Sequence, residues 1–470
     1  LKQIDLLVKN AEYIVTMDRD RRMIRGGALA VDGGLVLEAG KTEDLSGRYQ
    51  AARTIDAKNK FVFPGFISTH THLFQTLLKG LGRDKTLFDW LDSSVRVALH
   101  NYDEECMYWG AMTGLTEALR TGTTTVTDSQ YCHSRPGQDR PVLDAYEKLG
   151  IRGVFSKSHN DVSTLPPEIA CDWVETEEDF FRDTDDLCSQ LEHHPTINMS
   201  VAPGIIWCFS KRGYYLTREI ADKWKIPITM HLVETEDDDQ YAHQTYGMSA
   251  IDLLEETGVL GPDFVSVHSV HMTDYDIERF KKYGVTVSHC PVSNMILASG
   301  AAPVPRFLEE GIPVSLAADG AASNDTQDML EVMKITALQH KLVTRNAAVV
   351  SASEVLEMAT LGGARSLMME KEIGSLEAGK KADFFIYNPL NARSIPVHDP
   401  VSTLVYSSAQ PNVETTVVGG RVLLDNGKLV TADEEEMLRE TQRVASSLVE
   451  RSGLGSVQWG QKLKAGLYGA

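Results

Sequence analysis

The sequence predicts a (β/α)8 barrel, an α/β fold, carrying a small β module, and three features predict it. Eight short apolar runs alternate with helix-like stretches between residues 59 and 368, the alternation that builds a parallel sheet covered by helices. The runs are nearly continuous in apolar residues, as strands buried on both faces are. The terminal segments read instead as strands and turns with no long helical period.

Residues 1–58 hold β-rich runs at Ile4–Val8, Tyr13–Thr16, Ala28–Val31 and Val36–Ala39, with Asp32-Gly33-Gly34 as a turn between the last two. They form the N-terminal part of the β module. The barrel strands are expected at Phe61–Ile67, Thr124–Thr127, Arg152–Ser156, Ile197–Ala202, Ile226–His231, Phe264–His268, Val285–His289 and Pro313–Ala318. A helix is legible after the first of them. Asp103 caps it, Met107, Trp109, Met112, Leu115 and Leu119 recur at helical spacing, and Gly122 ends it. Residues 369–430 return to strands at Ala382–Tyr387, Val413–Val418 and Arg421–Leu424, the last two joined by Gly419-Gly420, a hairpin signal. With the N-terminal segment they complete a small β-sandwich beside the barrel. Residues 431–470 begin with an amphipathic helix capped by Asp433, with Leu438, Val444, Ala445, Leu448 and Val449 on one face. A tail with Trp459 and Tyr468 follows, its aromatics suited to packing on this subunit or a neighbour.

Composition narrows the partners. The 470 residues are 42% hydrophobic and 24% charged, as globular chains are. Lys and Arg number 46 and Asp and Glu 66, for a net charge of −20. Nucleic acid and anionic membrane surfaces bind basic patches, and no Lys/Arg-rich run is present. No apolar run reaches the roughly 18 residues of a membrane span. The six cysteines are scattered without a CxxC pair, which points to a reducing compartment, the cytoplasm. The first residues, Leu-Lys-Gln-Ile-Asp, do not read as a signal peptide.

In a barrel, catalytic side chains sit where strands end, at the C-terminal face. The first strand ends in His70-Thr71-His72, the fifth in His231 with Glu234 three residues on, the sixth in His268 and the eighth in Asp319. Residues two apart on a strand point the same way, so two imidazoles can grip one ion. A lone strand-end histidine is an ordinary structural residue. Four strand ends bringing His, His, His and Asp to one mouth predict a metal centre.

These residues also carry a resemblance. Pro64-Gly65-Phe66-Ile67-Ser68-Thr69-His70-Thr71-His72 is similar to the first-strand signature of the amidohydrolase superfamily. His231-Leu232-Val233-Glu234, His268, His289-Cys290-Pro291-Val292-Ser293-Asn294 and Asp319-Gly320-Ala321-Ala322-Ser323-Asn324-Asp325 resemble its aminohydrolase and chlorohydrolase branch. That branch includes guanine, 8-oxoguanine, pterin and S-adenosylhomocysteine deaminases and s-triazine hydrolases. Ile373-Gly374-Ser375-Leu376-Glu377-Ala378-Gly379-Lys380-Lys381-Ala382-Asp383 is similar to the family's return into its β module.

The resemblance implies that His70, His72, His231 and Asp319 hold one divalent metal ion, by default Zn2+, with Fe2+ suited to the same donors. It implies that Asp319 accepts the proton of a metal-activated water, that Glu234 protonates the ring nitrogen and then the leaving group, and that His268 hydrogen-bonds the water or the developing negative charge. A second metal would need a bridging lysine on the fourth strand, and Ile197–Ala202 has none. Six residues are candidates to bind substrate. Gln75 could pair with a ring edge and Trp90 could stack on a ring. Lys157 and His159 sit at the third strand end, where family members often carry Arg. Asn294 and Asn324 lie in the matched motifs.

The implied function is hydrolytic deamination of an amino-substituted N-heteroaromatic of the purine, pterin or triazine class. Hydroxide adds to the C–NH2 carbon and ammonia leaves. The alternative is an s-triazine-type hydrolase releasing chloride or alkylamine, and a remote one is a non-catalytic scaffold. An editing deaminase is opposed by the charge and by the absence of the H-x-E…P-C-x-x-C signature. Expected partners are a small heterocyclic substrate and further copies of the chain, as a homo-oligomer of two or more.

Overall fold

A computed structural model of the protein describes residues 1–133, 137–161 and 176–454. The tail residues Trp459 and Tyr468 lie outside them.

The N-terminal strands are β1 (Lys2–Val15), β2 (Met23–Asp32), β3 (Leu35–Lys41) and β4 (Tyr49–Asp56). The runs Ile4–Val8 and Tyr13–Thr16 belong to a single long strand. A register shift between Val8 and Ala11 breaks its alternation and makes it read as two. Strand β4 carries mostly exposed polar residues, so its apolar signal is weak, and it pairs in parallel with β1. The next strand, β5 (Phe61–Pro64), also joins this sheet, against β1 and against β14 (Phe384–Tyr387). The run Phe61–Ile67 is therefore two strands. The chain passes from the module to the barrel at Gly65, where a Cβ would lie 2.0 Å from the Thr124 hydroxyl. With β15 (Val413–Val418), β16 (Arg421–Asp425) and β17 (Lys428–Leu429), both terminal segments form one nine-stranded sheet.

The barrel strands are β6 (Phe66–Thr71), β7 (Thr123–Gln130), β8 (Arg152–His159), β9 (Ile197–Pro203), β10 (Ile228–Leu232), β11 (Phe264–His268), β12 (Thr286–His289) and β13 (Val314–Leu316). They pair in chain order, each parallel to the next. Side chains bring the two outer strands together. The Thr69 hydroxyl lies 2.7 and 2.9 Å from those of Ser288 and Ser315, and Ser156 meets Thr229 at 2.8 Å. The barrel is thus laced by hydroxyl pairs as well as packed with apolar side chains. Each pair satisfies polar groups that would be costly to bury alone.

The helix Glu104–Arg120 is capped by Asp103, whose carboxylate accepts the Cys106 N–H at 2.9 Å. Met107, Met112, Leu115 and Leu119 are buried and Trp109 is half-buried. The helix Glu434–Arg451 packs on it through Thr113–Thr441 and the Arg120–Glu434 ion pair. Its buried face is Met437, Val444 and Leu448. Leu438 is 53% exposed, a correction of one position that reflects a 100° step per residue. The five described cysteines are buried and form no disulfide among the described residues. No helix among the described residues is long and apolar enough to cross a membrane.

One buried ion pair ties the barrel to the module. Arg152 at the start of β8 donates to both carboxylate oxygens of Asp383, at 2.8 and 3.1 Å, and Asp383 also accepts the Gly419 N–H at 2.6 Å. Replacing Arg152 by Ala leaves Asp383 buried and unpaired, which costs about 3–5 kcal/mol. Chemical denaturation should show a loss of that size, and a loss below about 1 kcal/mol would refute the role.

A second buried carboxylate positions the first strand end. Asp128 on β7 accepts the Leu73 N–H at 2.8 Å, and burial pushes its pKa from 3.8 to about 7. The folded state holds a proton in that window that the unfolded state has released, so the group's contribution falls as pH rises through it. Asp128→Asn keeps an acceptor for Leu73 and removes the ionisation. The melting-temperature difference, variant minus parent, should widen between about pH 4 and pH 7, and a constant difference would overturn the assignment.

Candidate metal centre and active site

The end of β6 presents His70 and His72 on one side of the strand. Their Nε2 atoms are 3.2 Å apart, and the Nε2 of His231, on β10, lies 3.1 Å from that of His72. Asp319 follows β13, and its Oδ1 is 3.5 Å from His70 Nε2 and 3.6 Å from His72 Nε2. Two donors bound at 2.0–2.1 Å to one tetrahedral ion stand about 3.4 Å apart. The four side chains therefore surround a common point at the spacing that a zinc-sized ion requires. The His72 Nδ1–H donates to the Ser129 carbonyl at 2.7 Å, which leaves the Nε2 lone pair facing that point.

Electrostatics fits the same use. Burial lowers the pKa of His70 and His231, and it lowers His72 to about 3, where a second proton beside the His70 ring would also be opposed. The three imidazoles are neutral, the form that binds metal. Burial works against ionised Asp319, but the hydrogen bond from His70 and the nearby His268 ring hold it well below the ordinary carboxylate range. Three neutral imidazoles and one carboxylate suit a borderline divalent cation.

The backbone at this point is strained and firmly held. Asp319 has φ 63° and His268 φ 71°, a conformation costing roughly 1–2 kcal/mol in a non-glycine residue. The Asp319 N–H donates to the His70 carbonyl at 3.1 Å, and its own carbonyl accepts from Thr71 and Gln327 at 2.8 and 2.7 Å. Asn324 donates to the Ala318 carbonyl at 2.6 Å and secures the same turn. Gly320 allows Gln75 to lie against it, since a Cβ there would stand 2.0 Å from Gln75 Oε1.

Glu234 and His268 lie beside the four donors. His268 Nδ1 donates to Asn294 Oδ1 at 2.8 Å, and its Nε2 is 3.5 Å from Glu234 Oε2. The Ser299 hydroxyl donates to Glu234 Oε1 at 3.0 Å. Burial raises the Glu234 pKa, with His268 opposing it.

A cavity opens in front of these groups, lined by His72, His231, Glu234, His268 and Asp319. Gln75 and Trp90 line it too. Gln75 Nε2 donates to the Tyr131 hydroxyl at 2.8 Å, and its buried Oε1 has no partner. The other four substrate candidates do not line the cavity. Lys157 is buried against Asp139 at 3.0 Å and His133 at 3.3 Å. His159 stacks on Phe180 at 4.3 Å. Strand alternation explains both: Ser158 and Asn160 face the cavity, so residues 157 and 159 face away. Asn294 positions His268, and Asn324 holds the Asp319 turn. Sequence reasoning missed Ser158 and Asn160, which alternation could have found. It also missed Tyr131, which directly follows β7 and so stands at a strand end, and Arg96 and Trp207, which line the cavity from helical turns that carry no such signal. Trp207 is held by its N–H to buried Asp238 at 3.1 Å, a residue that reads in sequence as part of an acidic surface run.

The amidohydrolase family profile matches residues 61–423. A 5-methylthioadenosine/S-adenosylhomocysteine deaminase of Syntrophobacter fumaroxidans is 34% identical over 444 residues, 94% of this chain and 98% of that protein. A 5'-deoxyadenosine deaminase of Methanosarcina barkeri is 35% identical over 447 residues, 95% and 99% of the two chains. Among solved structures, an adenosine deaminase from Xanthomonas campestris with bound zinc has a TM-score of 0.89 at 26% identity, covering 97% of this chain and 100% of that one. A triazine hydrolase from Arthrobacter aurescens has a TM-score of 0.87 at 25% identity, covering 94% and 99%. A barrel with a (His)3Asp cluster at its mouth and likeness along nearly its whole length together place this chain: it belongs to the amidohydrolase family.

Proposed function

We propose that the protein is a metal-dependent hydrolase that deaminates an amino-substituted N-heteroaromatic, an aminopurine by preference. The observation that carries this reading is the convergence of His70, His72, His231 and Asp319 with Glu234 and His268 at the floor of one cavity. The names of the relatives, deaminases of adenosine-derived compounds, support it.

His70, His72, His231 and Asp319 would hold the ion, zinc in the first instance, with ferrous iron suited to the same donors. When bound, a divalent cation of this kind lowers the pKa of a water from 15.7 towards about 7. Asp319, ionised and adjacent, accepts the proton of the attacking water. Glu234 faces the same space with its pKa raised by burial, so it carries a proton to the ring nitrogen and makes the C–NH2 carbon electrophilic. His268, oriented by Asn294, hydrogen-bonds the oxygen as charge builds on it. Glu234, now ionised, takes the proton of the added hydroxyl as the carbonyl forms and passes it to the departing amine; ammonia leaves, and the proton held by Asp319 restores Glu234. The free Oε1 of Gln75 accepts an N–H from the ring edge, and Trp90 flanks the ring plane. A substrate bearing chloride or alkylamine at the same carbon would use the same residues, so the identity of the released group decides between the readings.

Two variants test the assignment. His72→Ala should lose stoichiometric bound metal in elemental analysis of the purified protein, and full occupancy would remove His72 from the ligand set. Glu234→Gln should keep its metal yet lose about 10²–10⁴-fold in ammonia release from an amino-heterocycle panel. Near-parental turnover would remove Glu234 from the mechanism.

A further inference from the structure

The cavity has a second region that the deamination chemistry does not use. Leu87, Leu91, Val95 and Leu99 are spaced four apart along the helical segment Leu87–Leu99, and all four line the cavity. Residues four apart share a helix face, so this segment turns an aliphatic stripe towards the substrate space. Its middle, Leu91–Val95, is a π-helical turn, a wider turn that recurs at functional sites. Trp90 and Trp207 extend the apolar wall.

Polar groups also line the cavity, and most of them are engaged with one another or with the deamination chemistry. Glu234 and Asp319 are the carboxylates among its described lining residues, and Ser299, Ser323 and the Gly320 N–H already bind them. Arg96 donates to Asp92 through Nη1 and stacks 5.2 Å from the Trp207 ring, and its buried Nε has no hydrogen-bond partner among the described residues. Ser158 and Asn160 remain. A ribose carries a vicinal diol, which proteins commonly bind through an Asp or Glu that accepts from it. No third carboxylate lines this cavity among the described residues, and a diol seated on the aliphatic stripe would give up its water without replacement.

We propose that the heterocycle carries an apolar substituent, alkyl, aryl or thioether, which seats on the Leu87–Leu99 stripe, and that a hydroxylated sugar at that place is disfavoured. This rests on the deaminase reading for the orientation of the ring. It separates the protein from the nucleoside specificity that its relatives' names carry.

Matched pairs test it: 9-propyladenine against 9-(2,3-dihydroxypropyl)adenine, and 2,4-diamino-6-propyl-1,3,5-triazine against its 2,3-dihydroxypropyl counterpart. Each pair differs only by a diol. Affinities are measured calorimetrically on metal-loaded Glu234→Gln protein, so that turnover does not intervene. In at least one ring series the propyl compound should bind at least tenfold more tightly, in line with the discrimination that one or two groups produce in a shaped pocket. Equal affinities, preference for the diol, or no binding in both series would overturn the proposal. Val95→Thr adds a hydroxyl at nearly constant volume and should reduce the propyl-to-diol ratio at least threefold. An unaltered ratio would place the substituent elsewhere and overturn the role of the stripe. Failure of the parent protein to release ammonia from any of the four compounds, with the binding preference intact, would count against the deaminase reading and leave this inference standing.

Discussion

The site depends on the meeting of the first and last barrel strands. Asp319 and His70 stand far apart in sequence, yet the Asp319 N–H donates to the His70 carbonyl and Thr71 holds the Asp319 carbonyl. Thr69 makes the same junction one layer below, through Ser288 and Ser315. A ring of parallel strands brings its first and last members together only when all eight are in register. Formation of the (His)3Asp cluster is therefore a readout of the whole barrel. A slip of one residue in β6 would turn His70 and His72 to the other face.

The same junction explains why strain is tolerated. Asp319 and His268 adopt left-handed backbone conformations that a free chain would avoid, and the surrounding hydrogen bonds leave Asp319 no alternative. Burial does related electrostatic work. It lowers the pKa of His70, His72 and His231 and raises that of Glu234. One desolvated pocket thus holds neutral imidazoles and a carboxyl of raised pKa side by side, the pairing the proposed mechanism uses, because burial disfavours whichever form is charged.

Much of this was legible along the chain. Asp103 and Asp433 announce helix starts by their side-chain caps. His70, His72, His231, His268 and Asp319 announce themselves as polar residues closing apolar strands. Gly419-Gly420 marks the hairpin. Elsewhere the pattern misled for identifiable reasons. Phe61–Ile67 is one unbroken apolar run, and only pairing partners divide it between two sheets. Lys157 and His159 carry attractive chemistry, but strand alternation turns them to the outer face, against Asp139 and Phe180. Asn294 and Asn324 belong to the site as supports: their amides hold His268 and the Asp319 turn.

By itself, then, the sequence determined the barrel class, the polar strand ends and the donor types, because periodicity and residue chemistry are local properties that survive without a fold. Tertiary structure alone decided which of those polar residues meet, which face the cavity and what covers the rest of it. Arg96, Trp207 and the Leu87–Leu99 stripe reach the substrate space from helix and loop positions. No local pattern marks such residues, since a leucine that lines a pocket and a leucine that fills a core are chemically the same until neighbouring elements close around them.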